Sequence, residues 1–110
     1  MSVCTIRENS YEDFESTLTR LNVDGRSRNM YLRHERAHFE KAKELGYTPQ
    51  YVAKLIVDNP SIIILAAVDF IGREPTPSDM VKICLAPRRP SKEDLELAVK
   101  NGWKRSKRWN

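Results

Sequence analysis

One stretch decides the fold, RNMYLRHERAHFEKAKELG at residues 28–46. Its apolar side chains recur mostly three and four residues apart, which is typical of a helix with one buried face. We expect the helix to begin at Ser27 or Arg28 and to end at Leu45, because Gly46 is a common stop just past a helix C-terminus. The stretch also contains both histidines of the chain, in the pattern H-E-x-x-H at residues 34–38.

On a helix, residues four apart lie one above the other on the same face. His34 and His38 can therefore reach one zinc ion, with Glu35 placed beside a zinc-coordinated water. Glu35 shares the more apolar stripe of the helix with Leu32, Phe39 and Ala42. Partial desolvation there would raise the pKa of its carboxyl group and suit it to accept and return a proton.

A second interpretation of the same stretch needs no metal. The two histidines can lie solvated on a charged helix, and Glu35 can form an ion pair with Arg28, Arg36 or Lys41. Charged helices contain many such pairs, so the motif alone does not decide between the two interpretations.

Two more helices are predicted, one before this stretch and one near the end of the sequence. Residues 10–21 should form a first helix, capped by Ser10 with Asp13 three residues later. Residues 91–101 should form a last helix, capped by Ser91 with Asp94 in the corresponding position. Gly102 would end this last helix.

The segment between the helices is predicted to be a β-sheet. Residues 50–58 favour a strand over a short helix, and the β-branched residues 62–70 predict a strand that is buried on both faces for much of its length. Residues 80–85 predict a further strand, and residues 1–9 begin as coil or as an edge strand. The expected fold is α+β: a helix, the H-E-x-x-H helix, a sheet of about three strands, a C-terminal glutamate helix and a basic tail.

Length and composition indicate a single domain covering residues 1–110. The apolar fraction of 40% and the charged fraction of 31% are those of a soluble globular protein. The longest apolar run, residues 62–68, is far shorter than the ~20 residues of a membrane span. The first residues show no signal pattern, so we expect a cytoplasmic protein without a membrane partner.

The net charge of +4 is concentrated partly in a basic tail that contains both tryptophans of the chain. A basic patch with aromatic residues can contact nucleic acid, but an ordinary solubilising surface accounts for it better. We therefore do not expect nucleic acid to be the partner. Cys4 and Cys84 match no paired metal-ligand spacing and are expected to be free thiols.

A catalytic zinc site usually has three protein ligands and one open position. Because the chain has no third histidine, the remaining ligand must be a carboxylate or a cysteine. The last helix offers Glu96, at the edge of its apolar face, which ranks slightly above Glu93. Asp94 is assigned to the capping role instead. Cys84 and Glu74 are weaker candidates.

With zinc at the histidines, the motif predicts a peptidase. The metal lowers the pKa of its water towards ~7 and polarises the scissile carbonyl. Glu35 takes the proton of the water and passes it to the leaving amine. An extended peptide substrate could add to the strand at residues 62–70.

In its order of elements and in His34-Glu35-x-x-His38, the chain resembles the minigluzincins. These are minimal soluble archaeal zinc metallopeptidases, similar to the catalytic domains of certain integral-membrane zinc peptidases. The resemblance implies that His34 and His38 are zinc ligands and that Glu35 is the general base and acid. The element order covers nearly the whole chain, but the last helix lacks the gluzincin pattern E-x-x-x-D.

The resemblance also bears on the basic tail. Members of this family look like latent zymogens in which a C-terminal segment lies in the cleft. By that resemblance, residues 103–110 would block the cleft of the same or a neighbouring chain. The terminal carboxylate after Trp109, on Asn110, would then be a zinc ligand. A frayed basic terminus is the alternative.

Two other functions stay open at this point. In the first, the motif is coincidental and the chain is a small basic module associated with nucleic acid. In the second, the chain is a structural zinc-binding module without catalysis. Stoichiometric zinc would argue against the first, and the effect of Glu35→Gln on hydrolysis would test the second.

Overall fold

The computed structural model describes residues 2–104. In chain order the elements are β1 (Ser2–Glu8), α1 (Tyr11–Arg20), α2 (Gly25–Glu44), β2 (Thr48–Asp58), β3 (Ser61–Ile71), α3 (Pro77–Cys84) and α4 (Lys92–Lys100). This is the α+β fold expected from the sequence. Within residues 2–104, no helix combines the length and the apolar character that a transmembrane span needs. Trp109 and Asn110 lie outside the described residues, so the blocking tail stays a prediction.

The strands form one antiparallel sheet in the order β1-β2-β3. β2 and β3 pair along their whole length, from Thr48 opposite Ile71 to Asp58 opposite Ser61. β1 pairs with the other side of β2. β1 and β3 are therefore the two edge strands of the sheet.

The helices α1 and α2 bury the main core against the sheet. Tyr51 of β2 is stacked between two phenylalanines, with its ring centroid 4.8 Å from that of Phe14 and 4.2 Å from that of Phe39. Leu18 and Leu32 pack in the same cluster. Each aromatic pair contributes about 0.5–1.5 kcal/mol beyond the burial of its area, so this cluster fixes α2 on the sheet.

Local signals in the sequence set the helix ends. Ser10 caps α1, as expected. The side chain of Asp24 accepts a hydrogen bond from the amide of Ser27, so α2 begins at Gly25, earlier than expected. Gly46 follows the end of α2 with a φ of 90°, a conformation that glycine adopts without the steric cost of a side chain.

Residues 80–85 are not the predicted strand, because residues 77–84 form α3. The side chain of Thr76 caps this helix by accepting from the amide of Asp79, and Pro77 occupies its first turn. A capping threonine followed by proline is a helix-start signal. This signal outweighs the partial alternation of apolar side chains that suggested a strand.

The sequence predicted that β3 is buried on both faces for much of its length, and this prediction is wrong. Ile62, Ile63 and Leu65 are 63%, 50% and 45% exposed. The helices pack on the face that carries Tyr51 and Ala53, while Ile63 and Leu65 point to the opposite face. Ile62 lies next to the β2–β3 turn, beyond the cover of the helices.

Candidate metal centre

The two histidines of α2 lie on the side of the helix that faces α3 and α4. Nε2 of His34 is 3.2 Å from Nε2 of His38, and the ring centroids are 4.8 Å apart. The side chain of His34 is 23% exposed and that of His38 is 8% exposed. Their spacing along the helix thus brings the two rings together, as the sequence predicted.

A backbone carbonyl of α3 sets the orientation of His38. Nδ1 of His38 is 2.7 Å from the carbonyl oxygen of Ile83. Because a carbonyl oxygen can only accept, Nδ1 carries the hydrogen and donates it. The lone pair of the neutral ring is then on Nε2, which points towards His34. Metal-ligating histidines are commonly held by such a contact from the other ring nitrogen.

Asp94 of α4 brings a carboxylate to the histidines. Its Oδ2 is 2.8 Å from Nε2 of His34, and its Oδ1 is 3.2 Å from Nε2 of His38. The same carboxylate accepts a hydrogen bond from the amide of Ser91 at 2.9 Å and closes the capping box of α4. One side chain therefore caps α4 and faces both histidines.

The contacts within this group hold Asp94 ionised. Burial would raise the pKa of Asp94, but hydrogen bonds from His34, from His38 when its ring is protonated, and from the Ser91 amide hold it well below its ordinary value. Burial would lower the pKa of His38, but the hydrogen bond and the charge of Asp94, with the Ile83 carbonyl, raise it. An ionised carboxylate is the form that ligates a metal.

The donor set fits a divalent metal ion. One ligand atom from each of His34, His38 and Asp94 lies within 4.8 Å of the others. In a tetrahedral zinc site, with ligands about 2.0–2.2 Å from the ion, neighbouring ligand atoms are roughly 3.3 Å apart. The closest distances here, 2.8 to 3.2 Å, are near that value. Two imidazoles and a carboxylate also suit other first-row divalent metals.

Glu35 is buried on the sheet-facing stripe of α2, with Leu32 and Phe39 on either side along the helix. Burial raises the pKa of its carboxyl group to about 7, although the charges of the two histidines act in the opposite direction. In residues 2–104, no salt bridge involves Glu35. The alternative prediction, an ion pair of Glu35 with Arg28, Arg36 or Lys41, is therefore wrong.

The structure does not bring the predicted carboxylates of α4 to the histidines. Glu96 has a side chain that is 66% exposed, with an oxygen 4.0 Å from Nζ of Lys92. Glu93 and the weaker candidate Glu74 are also exposed, and Cys84 is a buried thiol outside the group. With about 100° of rotation per residue, Glu93 and Glu96 point away from the side of α4 that carries Asp94.

The sequence did contain a signal for Asp94. Asp94 precedes Ala98 by four residues, and Ala98 is the fully buried residue of α4. Positions i and i+4 share a helix face, so Asp94 faces the protein interior. Reserving Asp94 for the cap concealed this, because one carboxylate has two oxygens and several lone pairs and can serve both purposes.

Two surface cavities of the described residues lie away from this group. One of about 540 Å³ lies along the outer side of α1 and α2, and includes Tyr11, Arg33 and Glu40 in its wall. The other, of about 360 Å³, lies beside the α3–α4 connection and is lined by Leu95 and Trp103 among others. The metal-ligand group instead occupies the boundary between α2 and α4.

Comparison with models of protein families, with curated proteins and with solved structures found no match for this chain.

Proposed function

We propose that this chain is a zinc-dependent metallopeptidase in which His34, His38 and Asp94 hold the metal and Glu35 is the general base and acid. The observation that carries the proposal is the convergence of three ligand atoms, from two helices, next to a buried carboxylate in the H-E-x-x-H sequence. Three protein ligands leave the fourth position of a tetrahedral zinc ion open for water or substrate.

Zinc at this group would lower the pKa of a coordinated water and polarise the carbonyl of a substrate. His38 is oriented for ligation by its hydrogen bond to the Ile83 carbonyl, and Asp94 by its hydrogen bond from the Ser91 amide. Glu35 accepts a proton from the attacking water and delivers it to the leaving amine. Glu35 is 6% exposed, and the raised pKa that follows from its burial suits it to accept and return a proton near neutral pH.

A structural metal site without catalysis is the second candidate. It is favoured by the position of the group at the boundary between α2 and α4, outside both surface cavities. In that function the metal would hold α4 against α2, and Glu35 would have no part in chemistry. Structural zinc sites contribute directly to folding free energy.

Metal analysis of the purified protein tests the site. We expect one zinc ion per wild-type chain and a large loss of zinc from His34→Ala and from Asp94→Asn. The matched controls are Glu96→Gln and Glu93→Gln, which remove carboxylates of the same helix and should retain full zinc content. Equal zinc loss in Glu96→Gln and Asp94→Asn would contradict the assignment of Asp94.

Hydrolysis of a diverse mixture of quenched peptides distinguishes the two functions. Glu35→Gln should keep its zinc and lower the rate by about 10²–10⁴-fold, whereas Glu40→Gln on the exposed side of α2 should leave it unchanged. Because the resemblance to minigluzincins implies a blocking tail, the assay includes a variant that ends at Trp103. A zinc-loaded protein that cleaves no peptide in either form would support the structural function.

A further inference from the structure

The free edge of β3 is apolar and uncharged over much of its length. β3 pairs with β2 on one side only. Its residues 61–68 read SIIILAAV and contain no charged side chain and no proline. Aliphatic side chains on both faces of this segment are exposed, as given above for Ile62, Ile63 and Leu65. A long apolar edge offers unpaired backbone amides and carbonyls to another strand.

The opposite edge of the sheet is different. β1 has seven residues and ends in Arg7 and Glu8. Nε of Arg7 is 2.9 Å from Oδ2 of Asp69, which lies across the sheet in β3, beyond residues 61–68. Charged side chains on an edge strand are a common protection against unwanted pairing. The β3 edge lacks that protection over eight residues.

We propose that the β3 edge pairs in antiparallel fashion with the β3 edge of a second copy of this chain. Identical strands related by a twofold axis are self-complementary, so the pairing forms one continuous sheet with three strands from each copy. A register centred on Ile64 places Ile63 opposite the partner's Leu65 and Ile62 opposite the partner's Ala66. Bulky side chains then meet on one face, and a bulky side chain meets a small one on the other.

Local charge does not oppose a second copy at this edge. Each chain carries a net charge of +4, so two copies repel over most of their surfaces. Along residues 61–68 they meet without any like-charge contact. The hydroxyl of Tyr31 donates to the carbonyl of Ile64 at 3.2 Å, and a carbonyl oxygen has a second lone pair for the partner strand.

A lipid surface fits the same region less well. The turn between β2 and β3 reads DNPS at residues 58–61, and these polar residues would have to enter the membrane first. In this register residues 61–67 pair with the same residues of the partner, and seven paired residues extend over about 23 Å at the usual rise of a strand. A contact along one strand edge is small beside the ~1,200–2,000 Å² that stable complexes bury, which indicates a weak and reversible dimer.

Sedimentation velocity at concentrations from low micromolar to near millimolar tests the proposal. The wild-type sedimentation coefficient should rise with concentration towards that of a dimer. Ile63→Lys should raise the dissociation constant at least about tenfold, because a lysine on an edge strand opposes pairing. Circular dichroism should show that the variant keeps its fold, since Ile63 is half-exposed.

Val3→Lys is the matched control. Val3 is 59% exposed and lies in the same row across the sheet as Ile56 and Ile63, but on the β1 edge. The sedimentation coefficient of this variant should rise with concentration as that of the wild type does. A wild type that stays monomeric at every concentration would overturn the proposal. An equal increase in the dissociation constant of the dimer in Val3→Lys and in Ile63→Lys would also overturn it.

Hydrogen exchange separates edge pairing from the stacking of sheet faces. Amides of β3 should gain protection as the concentration rises, and amides of β1 should not. Equal protection of both edges would indicate face stacking and would overturn edge pairing. A wild type that stays monomeric but binds an uncharged extended peptide at β3 would overturn the second copy as the occupant.

Discussion

The sheet half of the molecule, β1 to β3 with α1 and α2, is held by a large aromatic core. The C-terminal pair, α3 and α4, is held by a smaller apolar cluster around Ile83 and by polar contacts. Among the described residues, the largest fully buried side chains all belong to the sheet half: Tyr51, Phe14, Leu18, Val52 and Thr17. The buried apolar residues within the helices of the C-terminal pair include no aromatic ring: Ile83, Cys84 and Ala98.

Polar contacts join the C-terminal pair to the rest of the chain at two places. Tyr47 donates to Asp79 at 2.5 Å and accepts from the amide of Thr76 at 3.1 Å, at the start of α3. Asp94 of α4 contacts the two histidines of α2. The proposed metal site is therefore part of the attachment of α4, and metal binding free energy would become free energy of docking.

The largest effect is expected from truncation of the sheet-half core. Phe14→Ala should lower the free energy of unfolding by about 3–5 kcal/mol, because it removes one ring of the stack around Tyr51. Urea denaturation followed by circular dichroism measures this, with a single cooperative transition. Ile83→Ala is the matched truncation in the C-terminal pair.

Ile83→Ala should loosen α3 and α4 before the sheet half unfolds. Hydrogen exchange at low urea should then show faster exchange in α3 and α4 while the amides of β2 stay protected. If both variants instead unfold in one step with every element exposed together, the two regions are not separate and the comparison fails.

Zinc should give the next largest effect. At free zinc about 100 times the dissociation constant, every opening that breaks the site becomes costlier by about 2.7 kcal/mol. The amides of α4 should therefore exchange up to about 100-fold more slowly. Amides of β1 that exchange by fraying at the sheet edge, with the site intact, should keep their rates.

Asp94→Asn is the control for the zinc effect. It should abolish the protection of α4 while the far-UV spectrum stays unchanged, since asparagine can also accept a hydrogen bond at this position in the helix. Slowing of β1 and α4 by the same factor would show that the chain opens as a single unit.

Features that depend on neighbouring residues could be read from the sequence. The cap at Ser10, the stop at Gly46 and the spacing of His34 and His38 are set within one helical turn, and each was predicted. α3 was also readable, because Thr76 and Pro77 form a helix start. It was missed because the apolar pattern of residues 80–85 was given more weight than the cap.

Features that depend on distant contacts could not be read in the same way. The exposure of Ile63 depends on which sheet face the helices cover, and that is decided by packing between remote segments. The packing of α4 against the histidines of α2 is likewise decided by remote contacts, although the four-residue spacing of Asp94 and Ala98 already indicated the inward face of α4. The sequence pointed to Glu96 and Glu93, whereas the carboxylate of α4 that contacts the histidines is Asp94.

The smallest effect is expected from removing one hydroxyl at each of two tyrosines. Tyr47→Phe deletes the contacts with Asp79 and Thr76 and should destabilise α3 by about 1.5 kcal/mol. Tyr31→Phe deletes the contact with the Ile64 carbonyl within the sheet half and should cost about 1 kcal/mol there. Hydrogen exchange should show faster exchange of α3 amides in the first variant and of β3 amides in the second. Both substitutions remove a hydroxyl and keep the apolar ring in place. A difference between the two variants in which amides exchange faster would therefore arise from the lost polar contacts and not from core packing. Faster α3 exchange in Tyr31→Phe, to the same degree as in Tyr47→Phe, would mean that the polar contacts of α3 do not hold it independently of the sheet.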